Sequence, residues 1–229
     1  MKRRLATTSP NGRGDTKRLG QWLALVSVLA AIGYASRAAS GKPDPQVLYR
    51  WSTAVGGFVQ DAIVLALVLA IAGFSTRLLA LRRPRSYAVA AALVGAAVVA
   101  IYLFEGIYTH VVHVGNEQGL TPSRWEPAHA AAYVVNSVVI CTWVPFVEEL
   151  TYRGLGYSLL QRFGQWPAIG AVGVAFGLAH GLVLSLPIVV VFGCVLAWVR
   201  AATASVFPGM ALHAAFNLIA LVAAVTVGG

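Results

Sequence analysis

Apolar runs close to the length of a bilayer-crossing helix recur along this chain and leave it few ways to fold. WLALVSVLAAIGYAS at 22–36 is one such run, and similar stretches follow to the carboxy terminus. A helix needs about 20 predominantly apolar residues to cross a hydrocarbon core about 30 Å thick. The 229 residues are 58% hydrophobic and 11% charged, against the roughly 25% charged residues usual in soluble domains. In lipid every backbone N–H and C=O must bond internally, which admits only helices or closed barrels. The short alternating segments of a barrel are absent. The expected fold class is therefore all-α: a polytopic transmembrane bundle of about seven helices. The expected spans are 19–36, 54–75, 87–108, 130–147, 166–182, 184–200 and 209–227.

The formal charge of +9 raises nucleic acid as a partner, but its placement points to a membrane instead. Lys2, Arg3, Arg4, Arg13, Lys17 and Arg18 crowd the amino-terminal tail, and Arg77, Arg82, Arg83 and Arg85 fill one short loop. Clusters abutting apolar spans are the positive-inside signature, and they also favour an anionic leaflet. Residues 1–18 read as a basic, disordered cytoplasmic tail. Residues 19–129 read as amino-terminal helices and loops, with KPDP in a turn-rich loop at 37–52. Loop 109–128, with Glu117, Arg124 and Glu126, falls outside, and Arg162 and Arg200 fall inside. SRAAS after the first span leaves a cleavable signal peptide as an alternative. Cys141 and Cys194 read as small buried hydrophobes.

FVEELTYRG, residues 146–154, places three charges in otherwise oily sequence. An ionised side chain in mid-membrane costs about 2.5–3.5 kcal/mol on the insertion scale, so it is hidden, paired or functional. Glu149 and Arg153 stand four apart in the favourable order for a helical ion pair. Glu148 points about 100° away and is left available. Pro145 marks a helix start or kink. The plain alternative is an interfacial helix end with a solvated charge pair.

In VAFGLAHG, Phe176 and His180 are four apart. Gly170, Gly173, Gly177 and Gly181 form a stripe that lets another backbone come close. In FPGMALHAAFN, His213 and Asn217 lie one turn apart on one face. Each is explained alone by an interhelical hydrogen bond. Together, polar groups on three separate late segments are more simply read as lining a shared cavity. Glu148 could take a proton from water attacking an amide carbonyl, and His180 could hold that water or shuttle its proton. His213 and Asn217 could present nitrogen donors to a developing oxyanion, each worth about 2.7–4 kcal/mol.

The three motifs EELTYR (148–153), FGLAH (176–180) and HAAFN (213–217) resemble the signatures of the CAAX protease and bacteriocin-processing family of intramembrane proteases. The resemblance covers roughly 130–227, read as the protease core. It implies a metal-independent membrane endopeptidase in which Glu148 is the catalytic glutamate and His180 its water-activating partner. His213 and Asn217 would form the oxyanion site, while Glu149, Arg153 and Phe176 orient the others. No cofactor is implied. The expected partners are the lipid bilayer and a membrane-tethered or amphipathic peptide. The expected location is a bacterial plasma membrane, with the cleaved bond near the cytoplasmic half of the bilayer. Relatives in this family remove the last three residues of prenylated proteins or are linked to bacteriocin maturation and immunity.

Three alternatives remain. Glu148, His180 and His213 could ligate zinc. The same ionisable groups could serve a transporter or proton channel, although paired repeats around broken helices are not evident. The chain could also be a non-enzymatic immunity protein. His110 and His113, with Glu105, Glu117 or His129, lack an HExxH arrangement and read as loop polarity. Asp61 is assigned to interhelical pairing, and Asn136 and Thr142 to packing hydrogen bonds.

Overall fold

The computed structural model describes residues 12–41, 44–114, 117, 122 and 125–226. Lys2, Arg3, Arg4, Lys42, Pro43, Arg124 and residue 227 lie outside the described residues. The described residues form seven helical rods: α1 Gly12–Ser40, α2 Trp51–Ala72, α3 Tyr87–Val112, α4 Pro127–Phe163, α5 Gln165–Ala179, α6 Leu186–Thr203 and α7 Phe207–Thr226. No strand occurs among the described residues. Six rods are long and apolar enough to cross a membrane; α5 is shorter.

Local signals punctuate these rods. Gly73 closes α2 in the left-handed region at φ 61°. The Ser86 hydroxyl caps α3 by accepting the Val89 N–H. Pro187 and Pro208 sit in the first turns of α6 and α7, where a missing N–H costs nothing. The first rod begins at Gly12, so residues 12–18 are helical where a disordered tail was expected. Asp15 favours the positive helix start and faces Arg18 at 3.6 Å.

The largest departure is α4. It does not end near 147 but runs 37 residues as one rod. Pro145 neither starts it nor breaks it. The rod passes the proline by widening to a π-turn at Val139–Trp143, and a second π segment covers Glu149–Gly156. Such segments let a helix accommodate a residue that cannot complete the α ladder.

Packing is tight where side chains are smallest. Helix α5 lies along α6 and also crosses α1, while α3 backs α6 and α7. A Cβ on Gly173 would stand 2.9 Å from the Cys194 backbone nitrogen, and one on Gly193 would stand 2.9 Å from the Gly173 Cα. The expected glycine stripe is thus split. Gly173 and Gly177 meet α6, Gly181 meets α1 at Gly33, and Gly170 faces open space. Trp22 joins α1 to the core: it is buried and donates its indole N–H to the Thr151 carbonyl at 2.9 Å.

Candidate active site

Helices α4 and α5 form a hairpin about Gly164, whose φ of 113° only glycine adopts readily. Glu148 and His180 lie equally far along the chain on either side of that turn. At 1.5 Å rise per residue both come to about 24 Å from it. The short α5 thereby sets His180 level with Glu148, and both line the same cavity.

The EELTYR pairing is as the spacing implied. Arg153 Nη1 donates to Glu149 Oε1 at 2.9 Å, and both side chains are fully buried. Arg153 also donates to the Gly193 carbonyl at 3.0 Å, and its guanidinium carbon lies 4.2 Å from the Phe176 ring centroid. Removal of the guanidinium from water is thus offset by a carboxylate, a carbonyl and a π face.

Glu148 remains outside that pair. Its Oε2 is buried without a hydrogen-bond partner among the described residues. His213 stands between the doublet, Nε2 at 3.7 Å from Glu148 and Nδ1 at 3.4 Å from Glu149. Edge contacts to Phe176 and Phe192 hold the ring. His180 Nδ1 is 2.8 Å from the Phe176 carbonyl. A carbonyl only accepts, so Nδ1 carries the hydrogen of that bond and neutral His180 keeps its Nε2 lone pair free.

Asn217 is anchored from α7 by one of its two amide hydrogens. Its Nδ2 donates to the Ile140 carbonyl at 2.8 Å. The cause is the π-turn in α4. Val144 N–H bonds Val139, and the residue five beyond Ile140 is Pro145, which has no N–H. The side-chain amide of α7 takes the carbonyl that remains.

Glu148, Phe176, His180, His213 and Asn217 line one cavity of about 440 Å³, within the usual range for ligand sites. Glu148 and His180 also line a second chamber of about 360 Å³, with Gln60, Asp61 and Tyr152. Asp61, set aside on sequence, therefore reaches the same region. Among the described residues no group of three or more His, Cys, Asp and Glu side chains is placed to hold a metal ion.

The cavity is not built from late helices alone. Gly33, Ser36, Arg37 and Ser40 of α1 form its outer wall together with Glu117. Their spacing of small polar residues was legible but carried no recognised motif. Glu117 accepts N–H bonds from Val183 (2.9 Å), Leu184 (3.2 Å) and Ser185 (2.7 Å), and pairs with Arg37 at 2.7 Å. Burial alone would raise its pKa, but the N–H groups of Ser185, Val183 and Leu184 outweigh burial and hold it below the ordinary value. This strap, ahead of α6, fixes the loop that follows His180.

The mouth lies away from the basic residues. Lys17, Arg18, Arg77, Arg82 and Arg200 gather at one end of the bundle. Residues 36–41 and Glu117 open the cavity at the other end. The site is therefore not near the basic end, because α4 continues past the doublet to Phe163 and carries the charges deeper than a span ending at 147 would.

No curated protein and no solved structure matches the chain. Over residues 130–219, which contain all three motifs, this helical membrane protein matches the Rce1-like family, described as type II CAAX prenyl endopeptidase Rce1-like.

Proposed function

We propose that the chain is an intramembrane endopeptidase that hydrolyses a peptide bond with water activated by Glu148 and His180. The carrying observation is that Glu148, His180, His213 and Asn217, from three helices, line one cavity. The match to a protease family points the same way.

In the reaction, water oxygen bonds to the scissile carbonyl carbon while Glu148 takes its proton. His180, with Nε2 free, orients that water. His213 stabilises the carboxylates or donates to the oxyanion that forms. The carbon–nitrogen bond then breaks, and the proton passes from Glu148 to the leaving amine. Phe192 and Phe216 supply apolar walls, suited to a segment already in the membrane. The substrate is a membrane-tethered or amphipathic peptide entering from the end opposite the arginine cluster. By the positive-inside rule that end is non-cytoplasmic.

The test compares membrane peptides from cells expressing the wild type or Glu148→Gln at equal abundance. Losing the Glu148 carboxylate that accepts the proton is expected to reduce cleavage by at least 100-fold, within the usual range for general-base removal. An unchanged peptide set would end the proposal. Wild-type cleavage that is lost with a chelator and restored by added zinc would instead favour zinc.

A further inference from the structure

A cleft at the end of the bundle away from the cavity mouth takes no part in this chemistry. It encloses about 870 Å³ between the start of α1, the α2–α3 turn and the ends of α4 and α6. Lys17, Arg18, Arg77, Arg82 and Arg200 line it around a single acid, Asp15. Some of this charge is engaged. Arg18 faces Asp15 at 3.6 Å, and Arg82 Nε donates to the Ala204 carbonyl at 2.6 Å.

Arg200 differs from its neighbours. It is only 4% exposed, yet its Nε has no hydrogen-bond partner and it makes no ion pair among the described residues. Its guanidinium carbon lies 5.3 Å from the Tyr157 ring centroid. Ser158 Oγ, on the same cleft, is also buried without a partner. The positive-inside rule accounts for exposed arginines in a loop. It gives no reason to bury one. A buried guanidinium is expensive unless an acceptor answers it.

We propose that this cleft binds a phosphate group. The ligand is the headgroup of an anionic phospholipid in the adjoining leaflet or free inorganic phosphate. The planar fork of Arg200 matches phosphate oxygens, Ser158 supplies a hydroxyl donor, and Arg18 and Arg77 complete the positive rim. The site stands apart from Glu148, so its readout is binding rather than cleavage.

The test uses the full chain in neutral detergent. Native mass spectrometry would count phosphatidylglycerol and phosphatidylcholine retained, and thermal unfolding would be followed with added inorganic phosphate. One phosphatidylglycerol per chain is expected to be held in preference to phosphatidylcholine. Affinity should fall about fivefold for each of Arg18→Gln and Arg77→Gln, as about 1 kcal/mol per basic residue implies. Arg200→Gln is expected to weaken binding further, and the two rim variants keep the test valid if that variant folds poorly. Stabilisation by millimolar phosphate without lipid selectivity, lost in the same variants, would identify free phosphate as the source. No selective binding of either ligand, or binding unchanged in Arg18→Gln and Arg77→Gln, would overturn the proposal.

Discussion

Removing Arg153 would leave Glu149 buried, with no counter-charge from its own helix. Truncating one member of such a pair costs about 3–5 kcal/mol, so Arg153→Met should show that loss in reversible unfolding in detergent. A cost below about 1 kcal/mol would mean that the pair is solvated after all. The pair itself was readable, because residues four apart on a helix face must meet. The Gly193 carbonyl and the Phe176 ring were not, since they come from helices distant in sequence. Glu117 illustrates the same limit. Nothing local in its loop announces that three N–H groups of residues 183–185 will converge on it. Its folded pKa lies below the ordinary value. The stability it adds is therefore fully present above its unfolded value of about 4.3 and fades as pH falls through the lower folded value. The gap in stability between wild type and Glu117→Gln should be constant from pH 6 to 8 and narrow below about pH 4.5. A gap that widened on acidification would contradict the strap.

Helix α4 carries a prediction of its own. Asn217→Ala strips the half-buried Ile140 carbonyl of its donor, at a cost towards the lower end of the range of about 1–3 kcal/mol for a fully buried unpaired group. In a Pro145→Ala background residue 145 regains an N–H, and the same substitution should cost about 1 kcal/mol less. Equal costs in both backgrounds would detach Asn217 from the helix register. The sequence places Pro145 at a boundary because proline usually interrupts the α ladder. It could not anticipate a rod that continues through π-turns, since that outcome depends on an amide from α7. Helix existence was otherwise legible: each rod in the structure overlaps one expected span, because apolar length is a local property. Helix ends were read less well, as at α1, whose polar first turns lie outside any hydropathy window.

Over the whole molecule, the arginine cluster and the cavity mouth lie at opposite ends. In a chain lacking Cys141 and Cys194, Ser40→Cys at the mouth should react with an impermeant maleimide on intact cells. Arg83→Cys in the basic loop should react only after permeabilisation. The reverse pattern would place the mouth in the cytoplasm while leaving the protease reading untouched. The sequence by itself determined that this chain enters a membrane as helices and that three polar motifs lie within them. It also determined that one glutamate is held by an arginine. Desolvation cost and helical periodicity act over a few residues and leave their mark in any short window. Only the tertiary structure decided that Glu148 and His180 stand level, that α1 walls their cavity, that Asn217 serves a carbonyl in α4, and where the cavity opens. Those outcomes depend on which helix faces meet and how closely, and the backbone contact at Gly173 and Gly193 is settled between helices rather than within either one.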